Sequence, residues 1–252
     1  MKPSDHSTVA GQALIAAARA LSREVSALRF SAPVTHVYNP LHYAWAPHRA
    51  YIERFATNRL QAVFVGMNPG PFGMMQTGVP FGEVAAVRDW MGLVEPVEAV
   101  SDSHPRRPIE GFACRRSEVS GRRLWGWAAR RFGSPQAFFS KCFVLNYCPL
   151  VFLEASGRNF TPDRLPRAEL APLQAACDAH LRAAVAALEP AWVIGVGGYA
   201  RARIEAALAS LPPETRPRVD QILHPSPASP AANRGWEPAV DQQLARLGLF
   251  VD

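Results

Sequence analysis

A parallel α/β sheet covered by helices on both faces is the fold this sequence predicts, and three observations predict it. Four short apolar runs rich in β-branched residues recur at residues 60–65, 142–145, 192–196 and 219–223, each with the length and composition of a buried strand. Segments of helical period separate them, the alternation that builds a parallel sheet. At the ends of the runs stand Asn68, Asn146, Gly197-Gly198-Tyr199 and His224, and ligands of open α/β sheets bind along the edge formed by the carboxyl ends of the strands. Two amides, a glycine turn and an imidazole are therefore expected to converge on one crevice.

The elements follow in order. Spacing of Ala and Leu predicts a helix over residues 11–28, within an expected helical N-terminal extension of about 1–35. Lys2 precedes it, but Arg19 and Arg23 interrupt the apolar stretch and no cleavage site follows, which argues against a signal peptide and for a cytosolic protein, or a nuclear one in a eukaryote. The strand at 60–65 runs into a loop, 66–82, stiffened by five glycines and three prolines. Helices are expected over 119–132, over 170–188 with Pro172 in the first turn, and over 199–211, where Pro212-Pro213 stops the helix. A last helix over 238–247 closes the chain.

Composition bounds the function. With 252 residues, 48% hydrophobic and 19% charged, and no Ser/Gly-rich or charged linker, the chain reads as one domain over 1–252. Its apolar stretches are too short or too often broken by Arg to cross a membrane. The net charge of +6 rests almost wholly on Arg, with Lys2 and Lys141 the only lysines, which suits a polyanionic partner and equally suits a G- and C-rich coding bias. Cys114, Cys142, Cys148 and Cys177 show no C-x-x-C pair and no partnered His spacing, which argues against zinc and for buried or incidental thiols, with an iron–sulfur cluster the lesser alternative.

Each candidate residue has an ordinary explanation. Asn68-Pro69 is a good turn, Asn146 can cap a loop, Phe81 can be core, and His224-Pro225 can be a rigid strand exit. In combination they describe more. An amide such as Asn146 presents a donor beside an acceptor and can read the imide edge of a pyrimidine. Phe81 can stack on the base, His224 can donate to O2 as negative charge gathers there, and Asn68 can hold a water below the sugar carbon. The set describes cleavage of an N-glycosidic bond.

The stretches Gly66-Met67-Asn68-Pro69-Gly70-Pro71-Phe72-Gly73-Met74, Gln76-Thr77-Gly78-Val79-Pro80-Phe81-Gly82-Glu83, His224-Pro225-Ser226-Pro227 and Ala232-Asn233-Arg234-Gly235-Trp236 resemble the single-strand-selective monofunctional uracil-DNA glycosylases. Tyr38-Asn39-Pro40, Tyr43-Ala44-Trp45, Arg116-Ser117-Glu118-Val119-Ser120-Gly121-Arg122 and Asn146-Tyr147-Cys148-Pro149-Leu150 extend the resemblance over most of the chain. It implies a three-layer α/β/α fold around a central four-stranded parallel sheet. The activity implied is removal of uracil and oxidised uracils such as 5-hydroxymethyluracil from single- and double-stranded DNA, with no metal or cofactor; the protein is separately expected to be a monomer. On that pattern Asn68 and His224 are catalytic. Phe81 and Asn146 bind the base, and Met67 and Gly70 wall its 5-position. Rival readings are a glycosylase of the same superfamily preferring hypoxanthine, xanthine or mismatched thymine, and a module that binds damaged DNA without excising the base.

The same pattern makes Pro225, Ser226, Pro227, Ala228 and Ser229 a wedge into DNA, with Arg234 on the backbone. Arg106, Arg107, Arg115, Arg116, Arg122 and Arg123 are further candidates for phosphate contacts, while Trp125 and Trp127 are read as core. Where the family wedge carries an Arg that fills the place of the flipped nucleotide, this chain has Ala228. Extruding a base costs least when it is unpaired or mismatched, so a short wedge penalises paired duplex most. Excision is therefore expected to favour single strand and U·G over U·A, and Ala228→Arg to narrow that gap; equal wild-type rates on the three substrates would contradict this role of the wedge.

Overall fold

The computed structural model describes residues 8–251; residues 1–7, which include Lys2 and the start of the expected extension, and Asp252 lie outside the described residues. Helix α1 (Val9–Ser26) is followed by β1 (Val34–Tyr38), α2 (Pro40–Tyr43), α3 (Trp45–Phe55), β2 (Ala62–Gly66) and α4 (Met74–Thr77). Next come α5 (Val119–Phe132), α6 (Pro135–Phe139), β3 (Cys142–Asn146), β4 (Val151–Glu154) and β5 (Asn159–Phe160). The chain ends with α7 (Arg167–Leu188), β6 (Trp192–Val196), α8 (Gly198–Leu208), β7 (Arg218–Ile222), α9 (Pro230–Asn233) and α10 (Trp236–Arg246).

Four strands form a wholly parallel sheet in the order β3-β2-β6-β7. Strands β2 and β3 are buried along their length, and β6 from Val193 onward, because helices cover both faces, whereas the edge strand β7, expected to be buried, is so only at Ile222. Helices α1, α7 and α8 pack together on one side. Helices α5, α6 and α10 form the other, where Phe64 of β2 meets Trp127 of α5 edge to face at 5.8 Å. Trp125 and Trp127 are each 1% exposed and belong to the core. Helix α1, whose N-cap Thr8 accepts from the Gly11 amide, buries Leu14, Ala18, Leu21 and Val25 against α3 and α7.

A second, antiparallel sheet, β1-β4-β5, has no counterpart in the sequence expectation. Its strands are two to five residues long, too short for periodicity to announce; β4 and β5 form a local hairpin through a turn at Gly157, but β1 pairs with β4 more than a hundred residues away, where no turn signals it. Other boundaries move by a few residues. Asn146 is the last residue of its strand, lying opposite Gly66. Helix α7 begins at Arg167, which places Pro172 inside the helix beyond the first turn. The four cysteines are buried free thiols, and no helix of the described residues is long and apolar enough to cross a membrane.

Two histidines lie within this core. His48 on α3 donates from Nδ1 to the Gly78 carbonyl at 2.7 Å, and burial holds its pKa down to about 4. Burial, with a smaller contribution from His48, holds His180 on α7 at about 4 as well. An unfolded imidazole titrates near ~6.5, so between these values the unfolded chain binds more protons than the folded one. Stability is therefore complete above pH ~6.5 and falls as pH drops toward ~4, by up to about 3 kcal/mol per histidine. Denaturant unfolding at pH 7, 5.5 and 4.5 is expected to show this decline, and His180→Leu to make it shallower.

Candidate active site

All four strands of the parallel sheet end on one edge, with Gly66 opposite Asn146 and Val196 opposite Ile222. The hydrogen bonding of β2 to β3 continues past the strands: Tyr147 N donates to Gly66 O at 2.8 Å and Cys148 N to Met67 O at 2.9 Å. Above this edge lies a cleft of about 600 Å³, lined by Met67, Asn68, Gly70 and Phe72 from the first loop, Phe81, Asn146, and His224 with Ser226 and Pro227. The expected convergence of the two amides and the imidazole is thus realised in space.

Asn68 is held by more than its own turn, where its Nδ2 reaches the Pro69 carbonyl at 3.5 Å. Its Nδ2 donates to the Leu150 carbonyl at 3.1 Å, across 82 residues of sequence. That contact orients the amide and leaves Oδ1 as an acceptor for something in the cleft. Asn146 is 7% exposed; its Nδ2 meets only the weak acceptor Met74 Sδ at 3.2 Å, and its buried Oδ1 has no partner. A buried amide left so incompletely bonded is costly unless a ligand or water completes it.

Gly66 explains how Phe81 and Asn146 come together. A Cβ on Gly66 would fall 2.5 Å from Asn146 Oδ1 and 2.6 Å from the Phe81 ring, so both side chains occupy the space a side chain there would need. Phe81 has φ of +53°, a left-handed conformation that is rare for a bulky residue and persists only where the surroundings enforce it. Its carbonyl is held by Trp125 Nε1 at 3.0 Å and by the Glu83 amide at 2.7 Å. Gly121 stands so close that a Cβ would lie 2.1 Å from that oxygen.

Across the cleft, His224 Nδ1 accepts from the Ser226 amide at 3.1 Å. Burial lowers its pKa below the ordinary histidine value. A neutral imidazole whose Nδ1 accepts carries its proton on Nε2, so His224 offers the cleft an N–H donor without a charge. Gly197 gives the ring room, since a Cβ there would lie 3.2 Å from His224 Cβ. Tyr199 packs on Tyr147 with ring centroids 6.4 Å apart and is not among the residues lining the cleft.

The remaining expected residues divide. Pro225 is buried, while Ala228, Ser229 and Arg234 lie away from the cleft lining, Ala228 and Arg234 on the exposed surface. Of the expected phosphate-contacting arginines, only Arg116 lines the cleft, its guanidinium 4.0 Å above the Phe72 ring. Arg123 donates instead to carbonyls of the loop after His224.

Sequence reasoning assigned no role to Glu118 or Asn159. Both line the cleft, and each has a buried oxygen without a partner, Oε2 and Oδ1 respectively. Glu118 lies directly on the motif loop, where a Cβ on Gly70 would sit 2.2 Å from its Oε1 and one on Gly73 1.5 Å from Oε2. Burial, and secondarily Glu83, raises its pKa to about 7. A carboxylate so close to two glycines of a motif is the signal that could have marked it. Asn159 gave none, because it comes from the second sheet. Among the described residues no group of three or more His, Cys, Asp or Glu side chains is arranged to hold a metal.

The family described as the uracil DNA glycosylase superfamily matches residues 53–244. The chain belongs to that superfamily. The single-strand selective monofunctional uracil DNA glycosylase of Bos taurus is 51% identical over 91% of this chain and 84% of its own length. Its Mus musculus counterpart is 50% identical over 91% and 82%. In fold, the crystal structure of wild-type Pedobacter heparinus SMUG2 matches with a TM-score of 0.63 and 15% identity, covering 92% of this chain and 97% of that one.

For a superfamily glycosylase, the Gly66 contact gives a direct test. Gly66→Ala is expected to push the Phe81 ring and the Asn146 amide apart and to lower single-turnover excision on the order of a hundredfold, while thermal unfolding shows the protein still folded. Undiminished excision would show that the two side chains need not share this space.

Proposed function

We propose that the protein hydrolyses the N-glycosidic bond of uracil, and of oxidised uracils such as 5-hydroxymethyluracil, in single- and double-stranded DNA. It acts as a monomer without a cofactor, in the cytosol or nucleus, and leaves an abasic site. The observation that carries this reading is the half-bonded Asn146 amide, with a buried unpartnered Oδ1, in the same cleft as a neutral His224.

An extruded uracil stacks on Phe81. Its N3–H donates to Asn146 Oδ1, and its O4 accepts from Nδ2, which replaces the weak sulfur contact. Met67 and Gly70 then wall the 5-position, with the Glu118 carboxyl packed on Gly70, a polar setting that suits hydroxylated substituents. His224 Nε2–H donates to O2, where negative charge collects as the bond to the sugar breaks.

Asn68 cannot take a proton as a general base at neutral pH, because an amide oxygen is too weakly basic. Its Oδ1 orients a water while Nδ2 stays on Leu150. Bond cleavage therefore runs ahead of attack, through an oxocarbenium-like sugar, and stabilising the departing base carries most of the catalysis. The water adds to the sugar carbon as its proton is lost to solvent.

The test is a labelled oligonucleotide containing one uracil, incubated with the protein and then treated with alkali. Cleavage only after alkali is expected. A strand left intact by alkali refutes uracil excision, and cleavage without alkali refutes monofunctional action. A preorganised donor to developing charge is worth about 2.7–4 kcal/mol, so His224→Leu is expected to lower turnover at least ~100-fold while DNA binding persists; near-normal single-turnover rates in that variant would remove His224 from the mechanism.

A further inference from the structure

We propose that Arg123 is a positioning residue that sets His224 through the loop following it, and that it is not a phosphate contact. Arg123 sits half-buried on α5. Its Nη1 donates to the Pro225 carbonyl at 3.0 Å and to the Ser226 carbonyl at 3.4 Å. Its Nη2 donates to Asn233 Oδ1 at 2.9 Å, and Asn233 Nδ2 in turn donates to the Pro227 carbonyl at 2.8 Å. Three consecutive carbonyls after His224 are thereby fixed by one guanidinium and one amide.

The link to the imidazole is Ser226. Its carbonyl accepts from Arg123, and its amide donates to His224 Nδ1 at 3.1 Å. Loosening the loop loosens the bond that keeps the His224 proton on Nε2. Helix α5 also holds the Phe81 carbonyl through Trp125, so one helix fixes side chains on both sides of the cleft. The fork of a guanidinium makes these bonds with a geometry that an ammonium cannot copy.

This inference rests on His224 serving as the donor to the leaving base, and the experiment separates the two. In Arg123→Met, imidazole ¹⁵N shifts of His224 are expected to show a smaller share of the Nε2–H tautomer than in the wild type. Single-turnover excision from a single-stranded uracil oligonucleotide is expected to fall by about 10- to 100-fold, as for a misplaced catalytic group, with DNA affinity and its salt dependence unchanged. Arg123→Lys, which keeps the charge and loses the fork, is expected to be as impaired as Arg123→Met. Asn233→Ala shifts the tautomer share in the same direction by less, and decides the matter if Arg123 variants do not fold. Unchanged His224 shifts in a folded variant overturn the proposal, and so does recovery in Arg123→Lys with a reduced salt dependence in Arg123→Met. If the wild type leaves uracil in place, the glycosylase reading fails while the ¹⁵N comparison still decides what Arg123 does.

Discussion

The missing side chain at Gly66 is the constraint on which the site depends. Parallel pairing of β2 with β3 puts Gly66 opposite Asn146, and any Cβ there would strike the Asn146 amide and the Phe81 ring together. Because the position is empty, a hydrogen-bonding edge from the end of β3 and an aromatic ring from the loop after β2 close in on the same point. That pairing of a flat surface with a donor–acceptor edge is what a planar heterocycle requires, and it follows from strand register.

Holding that arrangement takes more of the chain than the residues lining it. Gln76 satisfies both ends of its buried amide, donating to the Pro71 and Pro108 carbonyls and accepting from the Glu110 and Gly111 amides. Tyr43 donates to the Met75 carbonyl at 2.6 Å and His48 to that of Gly78. The first loop is thus braced from three directions, which is how Phe81 can persist at a positive φ. On the opposite wall, the Trp236 indole donates to the Leu223 carbonyl at 2.7 Å and the Gln243 side chain accepts from the Leu223 amide at 2.9 Å, so the C-terminal helix secures the residue just before His224.

The parallel sheet was legible because β2, β3 and β6 are nearly continuous apolar runs, while β7 carries Asp220 and Gln221 and showed only through its Val and Ile; Asn68, Asn146 and His224 were legible because they sit where these strands end. The antiparallel sheet was not. Its strands are short, β1 pairs with β4 across more than a hundred residues, and with it went Asn159 and the Leu150 anchor of Asn68. Glu118 escaped for another reason. A Glu before a helix reads as an ordinary N-terminal carboxylate, yet its side chain makes no cap and packs on Gly70 and Gly73. Arg123 was visible as a positive charge, but charge alone does not tell a phosphate contact from an internal clamp, because only the geometry reveals carbonyls in its reach.

The bond from Asn68 to Leu150 ties the loop after β2 to the start of the antiparallel sheet. Leu150 is the residue immediately before β4, whereas Asn146, Gly66 and the loop to His224 belong to the parallel sheet. The Asn68 side chain is thus tied on one side to the loop leaving β2 and on the other to the segment entering β4, while Asn146 is set by the register of β3 on β2. A change at Asn146 therefore alters one wall of the cleft without touching the bond that holds Asn68. Two amides that face one cleft are held by separate contacts, so each can vary with little consequence for the placement of the other.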